Sequence, residues 1–279
     1  MLEKEIQNEL IEKGRAFTKG YRNDDPYGEC FESDQSLKLP QPPLVKAPVR
    51  PESEWIRLPL DFASLPLKND LVSVIRDRRS NRIYTGETMT LEALSFLLWA
   101  TQGIKALRGK SYATLRTVPC GGARHQFETY LMVCKVEGLR PGAYHYLPME
   151  HALEYLYPVE DMGSAISESL SDQTWGAKAN VVFYWSMVPY RVEWRYGIYA
   201  HRAALIDVGH VGQNLYTAVT GLGLGCCAIA SFRHEKCCEL FDLDGEEEYI
   251  IYAVPVGTVR DCDLEAEQAF YKFVKDEGL

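Results

Sequence analysis

The sequence has no surplus of positive charge. Its 279 residues include 30 lysines and arginines against 39 aspartates and glutamates, and the formal net charge is -9 at pH 7. Binding to nucleic acid or to an anionic membrane needs a basic surface. The charge balance therefore argues against both as general functions, and a local cluster of arginines in such a chain points to a small anion instead of a polyanion.

The sequence also lacks a long apolar run and a secretion signal. Its longest nearly apolar stretch, at 218–232, is too short and too rich in glycine to cross a bilayer as a helix. The first ten residues, MLEKEIQNEL, are acidic and polar, whereas a signal peptide begins with basic residues and continues with an apolar run. We therefore expect a cytoplasmic protein that does not interact with membranes.

Disulfide and metal-ligand patterns are missing as well. The eight cysteines include two adjacent pairs, which make poor disulfide partners, and no two cysteines have the spacing Cys-x-x-Cys. The cysteine and histidine spacings fit no structural zinc site. We expect reduced thiols and no bound metal.

Common catalytic and nucleotide-binding signatures are absent too. The chain has no Ser-His-Asp arrangement, no HExxH and no Walker A pattern. The sequence GLGLG at 221–225 follows a predicted helix and precedes a predicted strand, which is the reverse of the order in a dinucleotide-binding turn. We interpret these glycines as a helix end and a tight turn.

The chain divides into two predicted parts. Residues 1–69 are predicted to form a short polar helix, at 3–13, and then a proline-rich extended arm, at 20–69, that lies on the body or on a partner chain. The apolar residues of the arm that look like anchors are Trp55, Ile56, Leu58, Leu60 and Phe62. Residues 70–279 are predicted to form the folded domain.

The folded domain is predicted to combine helices with a sheet. Helices are predicted at 71–79 and 90–103, and the second begins at an N-cap threonine, Thr90, and ends at Gly103. The predicted strands are 127–136, 143–147, 153–157, 180–188, 226–232 and 249–257. The first three form an antiparallel meander, and the nearly all-apolar fourth is central and buried on both faces.

A further long helix is predicted at 203–220. Asp207, His210, Asn214 and Thr217 fall on one stripe of it, and most of the remaining circumference is apolar or glycine. A helix this apolar is buried in a large core or across a subunit interface, and we expect a homodimer. Asp207 and His210 could form a catalytic pair, although such groups more often satisfy each other or a neighbouring backbone.

Positive charge is concentrated in residues 76–84, RDRRSNRIY. This stretch contains four arginines around a single acidic residue: Arg76, Arg78, Arg79 and Arg82. A guanidinium group suits a phosphate because it donates two parallel hydrogen bonds, and Ser80 adds a hydroxyl. The alternative is a solvated helix end, where the helix dipole favours cations.

A second candidate segment is VPCGGARHQFETYL at 118–131. Its two glycines let the backbone approach a ligand closely, and Arg124 and His125 follow before the predicted strand. In isolation this pattern is a weak indication of function.

Four ordered segments together resemble the nitroreductase superfamily of flavoproteins, and specifically its SagB-type branch. Residues 77–104 are similar to the family's Arg-x-Ser-x-Arg segment and the helix after it, and residues 119–154 to the branch's Pro-Ser-x-Gly-Ala-Arg-His segment and hairpin. Residues 194–232 resemble its long dimer helix and the following strand, and residues 242–257 its closing strand. The resemblance implies an α+β nitroreductase-like fold that dimerises, with a central antiparallel or mixed sheet flanked by helices, and with FMN held at the interface.

The resemblance also implies a set of FMN contacts, some of which should come from the second subunit. The residues implied at the flavin phosphate and ribityl chain are Arg78, Ser80 and Arg82, with Arg79 close by. The residues implied along the flavin are Gly121, Gly122 and Ala123, and those that would present backbone to its N5/O4 edge are Ala228, Ile229 and Ala230. The remaining predicted cofactor contacts are Cys120, Arg124, Asn214, Gly257 and Arg260.

The sequence departs from the family's pattern at several of these positions. Cys120 stands where serine is usual, and Gln126 stands where proline is usual. Two residues separate VPVG from Arg260, where the branch often has a basic residue at once. The azoline-oxidising members carry a Lys-Tyr pair, and the matching positions here are Arg195 and Tyr196, our predicted substrate-facing residues.

The resemblance implies an FMN-dependent oxidoreductase. It would transfer hydride by a ping-pong mechanism from NAD(P)H or an organic substrate to an acceptor such as a quinone or a nitro compound. Because a flavin carries the hydride itself, the absence of a conventional acid–base triad is expected. The alternatives are a peptide azoline dehydrogenase that works with cyclisation proteins, a flavin-binding module without turnover, and a phospholigand binder without flavin.

Overall fold

The structure is a computed structural model that describes residues 4–19 and 31–260 of the chain. The predicted polar helix at 3–13 is present and longer, as α1, Lys4–Lys19, and none of its residues is buried. The part of the arm at 20–30 and the end of the chain at 261–279 lie outside the described residues.

A seven-stranded antiparallel sheet forms the centre of the protein. Its strands stand in the order β1-β6-β5-β4-β7-β9-β8, and a separate hairpin consists of β2 and β3. The strands are β1 (Ile56–Arg57), β2 (Ile104–Arg108), β3 (Ala113–Arg116), β4 (Phe127–Val133), β5 (Gly142–Leu147), β6 (Ala152–Tyr157), β7 (Val181–Met187), β8 (Leu224–Cys226) and β9 (Tyr249–Thr258). The predicted meander is confirmed as β4-β5-β6.

Six more α-helices are present in the part of the chain that the structure describes. They are α2 (Leu71–Asp77), α3 (Leu91–Gln102), α4 (Met162–Ser169), α5 (Pro189–Tyr196), α6 (Ala200–Gly221) and α7 (His234–Glu239). The N-cap prediction for α3 is confirmed, because the Thr90 side chain accepts a hydrogen bond from the backbone N–H of Ala93. The α+β class with helices flanking a sheet is therefore confirmed.

Helices cover both faces of the sheet, and each face has its own core. Residues of α3 and α6, such as Leu97 and Leu215, pack on one face against Phe183. Residues of α4 and α7 pack on the other face against Tyr184. Strand β7 alternates between the two cores and is buried along its whole length, as its apolar sequence predicts.

The long helix α6 is only partly buried. Its inner side includes Val208, Val211 and Leu215, but Leu205 and Ile206 are each more than half exposed, at 52% and 53%. We expected this helix to be buried on all sides, but within a single chain one side of it is exposed. The homodimer that would cover the exposed side remains a prediction.

The arm at 31–69 lies on the body and supplies the edge strand β1. Of its predicted anchors, Leu58 is buried and Phe62 packs against Phe96 at 5.2 Å between ring centroids. Trp55 and Ile56 are partly buried, whereas the prediction is wrong for Leu60, which is 59% exposed.

Buried carboxylates of the sheet hold the arm in place. Glu128 on β4 accepts a hydrogen bond from the backbone N–H of Lys46 at 2.6 Å. Glu154 on β6 accepts from the N–H groups of Val49 and Arg50, each at 2.8 Å. The Lys46 ammonium group reaches Glu248 at 2.6 Å. The arm is therefore fastened through backbone N–H groups and through the side chain of Lys46.

Two remaining expectations concern membranes and thiols. Within residues 4–19 and 31–260, no helix has both the length and the apolar character needed to cross a bilayer. Six cysteines are described, all as free thiols: Cys120, Cys134, Cys226, Cys227, Cys237 and Cys238.

Candidate functional site

The arginine-rich stretch begins in the last turn of α2 and continues as the extended segment that follows this helix. Arg78 is the C-cap of that helix, and its guanidinium carbon lies 5.4 Å from the ring centroid of Tyr216 on α6. The Tyr216 hydroxyl is 3.0 Å from Ser80 Oγ and accepts a hydrogen bond from the backbone N–H of Ala228 at 2.8 Å. Tyr216 therefore joins three of the predicted cofactor contacts, although no sequence motif marks it.

A polar cavity of about 350 Å³ opens beside this segment. Four cationic side chains line it together with one acidic residue: Lys68, Arg76, Arg78, Arg79 and Asp77. Arg76 is 69% exposed and its Nε lies 3.3 Å from the carboxylate of Asp77. Arg78 and Arg79 have no such ion pair among the residues that the structure describes. The cavity is thus a site of net positive charge, which suits a small anion.

Arg82 points elsewhere. Its guanidinium carbon is 5.8 Å from the ring centroid of Trp175, and it does not line the cationic cavity. The structure thus brings Arg78, Arg79 and Ser80 together around one end of α6, and it leaves Arg82 on a different side of the extended segment.

Two glycines let the arginine-rich segment lie close to the sheet. Gly225 on β8 pairs with Gly257 on β9. A Cβ atom at Gly225 would come within 2.8 Å of Asn81 Cβ, and one at Gly257 within 2.7 Å of the Tyr84 ring. Gly257, a predicted cofactor contact, therefore allows this packing. Arg260 is exposed at the end of the described residues.

The predicted strand at 226–232 is mostly absent. Strand β8 ends at Cys226, and Ile229 then forms an isolated bridge in which its N–H donates to the Ala253 carbonyl at 2.8 Å. The N–H of Ala228 is bonded to Tyr216, whereas Ala230 is exposed. Two of the three backbone N–H groups predicted to face a flavin edge therefore have partners inside the protein.

The glycine loop at 120–124 is anchored to the middle of α6 by Asp207. The backbone N–H of Gly121 donates to both carboxylate oxygens of Asp207 at 3.1 Å. The Gln126 side-chain amide also donates to this carboxylate at 3.1 Å, and Cys120 Sγ lies 3.2 Å from it. Asp207 is buried and His210 is exposed, so the two do not form a catalytic pair. Asp207 instead satisfies a neighbouring backbone, the commoner of the two roles.

Cys120 is expected to be unreactive although it lies beside the glycine loop. Burial, followed by the charge of Asp207, raises the pKa of its thiol to about 12. At pH 8 only about one molecule in 10⁴ would carry the thiolate, against roughly a quarter for a free cysteine. Iodoacetamide treatment of the folded protein at pH 8, followed by peptide mass spectrometry, should leave Cys120 unmodified. Alkylation at the rate seen in urea-unfolded protein would contradict this.

The glycine loop turns sharply at Gly122, where φ is +57°, a region that glycine enters without strain. A Cβ atom there would lie 2.5 Å from the Arg195 side chain and 2.9 Å from the Tyr196 hydroxyl. The two predicted substrate-facing residues at the end of α5 are therefore packed directly on the loop. Ala123 also has positive φ, at 54°.

Asn214 and Arg124 have internal partners. The Asn214 amide donates to the Ala100 carbonyl at 2.9 Å. The same residue lines an apolar cavity of about 540 Å³ between α2, α3 and α6. The Arg124 Nε donates to the Gly122 carbonyl at 3.1 Å. Arg124 is 3% exposed, so its role in this chain is to shape the glycine loop from behind.

Helix α6 thus carries two polar clusters on one molecule. The first, around Tyr216, contains the cationic cavity, and the second, around Asp207, contains the glycine loop and the end of α5. The separation of nine positions between Asp207 and Tyr216 corresponds to about 14 Å along a helix axis. A central antiparallel sheet backed by a long helix that carries both clusters defines the chain as an α+β protein with two candidate sites along one helix.

Comparison with known proteins gives the family. Residues 75–258 match the family model described as Nitroreductase family. The chain is 32% identical over 202 residues to a protein of Methanocaldococcus jannaschii named as a presumed nitroreductase, which covers 72% of this chain and 95% of that protein. The chain belongs to the nitroreductase family, a family of oxidoreductases, and the predicted family resemblance is confirmed.

Solved structures agree with the fold. A protein of Ralstonia eutropha described as a presumed nitroreductase aligns with a TM-score of 0.61 and 22% identity, over 80% of this chain and 100% of that one. One of Anabaena variabilis with the same description aligns with a TM-score of 0.58 and 26% identity, over 68% of this chain and 38% of that one. The E. coli microcin synthetase McbBCD complex with truncated pro-MccB17 contains a chain that aligns with a TM-score of 0.54 and 18% identity, over 78% of this chain and 85% of that one.

Proposed function

We propose that this protein is an FMN-dependent oxidoreductase that reduces small-molecule acceptors such as quinones or nitro compounds with electrons from NAD(P)H. The observation that carries the proposal is the cationic cavity at the end of α2, where Arg78 and Arg79 have no carboxylate partner among the described residues. Membership of the nitroreductase family supports the reaction class.

The residues present fit FMN. Its phosphate is a dianion, and the guanidinium groups of Arg78 and Arg79 with the Ser80 hydroxyl form a donor set suited to it. Tyr216 fixes Ser80 through the bond between their hydroxyl groups. When bound, FMN would supply hydride transfer through its ring, while the protein supplies binding, orientation and electrostatics.

The remaining residues have supporting tasks in this proposal. The glycine loop would lie along the flavin, and the missing side chain of Gly122 leaves room for Arg195 and Tyr196 to pack against the loop. Asp207 holds the Gly121 N–H and so fixes the position of that loop. Arg195 and Tyr196 pack on the loop and would face the substrate in this proposal.

We also propose that the protein works as a homodimer. Leu205 and Ile206 on α6 are exposed, and so are three apolar residues of the neighbouring helix α2: Leu71, Val72 and Ile75. These side chains give α2 and α6 an exposed apolar surface, and α2 leads directly into the arginine-rich segment. A second copy that covered it would exclude water from the flavin site.

A peptide azoline dehydrogenase of the SagB-type branch is the second candidate. The alignment with a chain of the microcin synthetase complex, which contains a bound peptide, motivates it. The Arg195–Tyr196 pair at the glycine loop stands where the azoline-oxidising members of that branch carry Lys-Tyr. Because Arg195 replaces that lysine, we propose the small-molecule reaction first.

The test is the visible spectrum of the purified protein followed by turnover. We expect flavin bands near 370 and 450 nm, roughly the values of the flavin chromophore itself. Oxidation of NADH or NADPH should then require a quinone or nitroarene, with parallel double-reciprocal plots. A colourless protein that cannot be reconstituted with FMN would overturn the proposal, and bound flavin without turnover with any donor would indicate a binding module.

A further inference from the structure

Arg195 is held over the glycine loop by two neutral partners from distant parts of the chain. One guanidinium nitrogen donates to the Gln35 side-chain carbonyl at 3.0 Å and to the Tyr112 hydroxyl at 2.9 Å. Gln35 in turn donates from its amide to Tyr112 at 2.9 Å. Three residues from the arm, the β2–β3 hairpin and α5 therefore form a closed ring of hydrogen bonds.

Arg124 supports this ring from below. Its guanidinium carbon lies 5.0 Å from the ring centroid of Tyr112 and 5.3 Å from that of Trp194, so it is stacked between the two. Its terminal nitrogen donates to the Tyr112 carbonyl at 3.0 Å. Because this buried guanidinium is fixed on both faces, it holds the Tyr112 ring in place.

Both charges are left without a counter-ion within residues 4–19 and 31–260. Neither Arg124 nor Arg195 forms an ion pair there. The nearby carboxylates are bonded elsewhere, since Asp34 accepts from the Tyr190 hydroxyl at 2.9 Å and Glu193 lies 3.0 Å from the His201 ring.

The positive field of the two arginines acts on the Tyr112 phenol. Burial by itself would raise its pKa, but the hydrogen bond from Gln35 and the charges of Arg195 and Arg124 outweigh it and lower the pKa below its usual value of 10.0. A negative charge placed beside Tyr112 would therefore be stabilised. A substrate group is a natural source of that charge, because the ring with Gln35 and Tyr112 uses one terminal nitrogen of Arg195, whose side chain otherwise bonds only the neutral Tyr196 among the described residues.

We propose that Arg195, positioned by Gln35 and Tyr112, binds an oxyanion of the reacting molecules and so selects acceptors that carry a carboxylate, or donors that carry an extra phosphate. This rests on the proposed function, because it places that oxyanion beside the glycine loop predicted to line the flavin. Planar guanidinium binds either group with two parallel hydrogen bonds. Gln35 and Tyr112 are positioning residues, since they act through Arg195.

The test compares two nitroarenes that differ by one charge, 4-nitrobenzoate and its methyl ester. Calorimetric titration of the protein reconstituted with FMN should show that Arg195→Gln weakens 4-nitrobenzoate binding by about tenfold or more, the effect of losing a charged hydrogen-bonded partner. Binding of the ester should change less than about threefold. Arg108→Gln, on the exposed strand β2, is the matched control and should leave both affinities unchanged.

Two further variants guard against misfolding and test the positioning. Arg195→Lys keeps the charge but loses the planar fork and should fall between the parent and Arg195→Gln. Tyr112→Phe removes one of the bonds that hold Arg195 and should weaken only the charged ligand, seen in turnover as a higher KM at unchanged kcat. Equal losses for acid and ester in every variant would indicate a structural role and overturn the inference.

The source of the oxyanion is decided in a parallel arm of the experiment. If Arg195→Gln weakens NADPH binding while NADH binding and 4-nitrobenzoate binding stay the same, the oxyanion is the additional phosphate of NADPH. If neither ligand pair responds, the inference is wrong even when flavin bands and turnover persist. If flavin and turnover are absent but 4-nitrobenzoate still depends on Arg195, the proposed function fails and the oxyanion site stands.

Discussion

Arg78→Ala is expected to raise the dissociation constant for FMN by roughly 10- to 100-fold, because it removes a charged hydrogen-bond donor from the phosphate site. Arg78 lines the cationic cavity, stacks on Tyr216 and has no ion-pair partner among the described residues. Removing it leaves a dianion with less positive charge around it. Quenching of FMN fluorescence on titration with apoprotein measures the effect.

Arg76→Ala is the matched control, since it removes the same charge two residues away. Arg76 is 69% exposed and lies beside Asp77, so its loss should change the dissociation constant by less than about threefold. The family resemblance predicts that Arg82→Ala weakens FMN binding as Arg78→Ala does. The structure places Arg82 against Trp175 and not in the lining of the cationic cavity, so this variant distinguishes the resemblance from the cavity as guides to the phosphate site. A larger effect from Arg76 than from Arg78 would mean that the phosphate site is assigned to the wrong arginine.

Glu128→Ala is expected to lower the free energy of unfolding by about 3–5 kcal/mol, the usual cost of leaving a buried charge without its partner. Glu128 is 1% exposed and one of its oxygens lies 2.6 Å from the guanidinium of Arg191, which is itself buried. The same carboxylate holds the arm through the Lys46 N–H. Urea denaturation followed by circular dichroism measures the loss.

An exposed pair provides the comparison for Glu128. Glu52 forms an ion pair with Arg57, and both side chains are more than half exposed. Exposed pairs contribute little, so Glu52→Ala should leave the urea midpoint nearly unchanged. Equal midpoints for Glu128→Ala and Glu52→Ala would show that the buried network does not stabilise the fold.

The pH dependence of stability follows from the same carboxylate. Burial would raise the pKa of Glu128, but Arg191, His145 and Arg116 outweigh burial and hold the pKa well below its ordinary value of 4.5. The contribution of Glu128 is therefore fully present above pH 4.5 and is lost as the pH falls toward the lower pKa of the folded state. Glu128→Ala should consequently lose less stability on acidification than the parent protein.

The apolar periodicity of the sequence and its short-range capping signals predicted the elements that have a regular buried face. The meander, β7, α3 and α6 each carry a clear apolar pattern, and the cap at Thr90 is a short-range signal. The hairpin β2–β3 was missed because β2 has four exposed residues out of five and so has no buried face to give a pattern. Helix α5 was missed because it begins at Pro189 and is largely polar.

The residues of the candidate site also divide into those marked by short motifs and those brought together only by the fold. The family-like segments identified Arg78, Ser80 and the glycine loop, because short motifs carry them. The sequence could not show that Arg124 would stack between Tyr112 and Trp194, since those partners lie 12 and 70 positions away and are brought together only by the fold. Tyr216 and Gln35 carry no motif at all, and their hydrogen bonds depend on tertiary structure.

The attachment of the arm to the sheet sets an order of events during synthesis on the ribosome. Val49 emerges 105 residues before the Glu154 that accepts its N–H, and Lys46 emerges 202 residues before Glu248. At roughly 5–20 residues per second, the shorter of these intervals takes on the order of 5–20 s. The ring of Gln35, Tyr112 and Arg195 likewise cannot close before Arg195 is made, 160 residues after Gln35. The arm is therefore made first, but these partners on the body follow only after 105 residues or more.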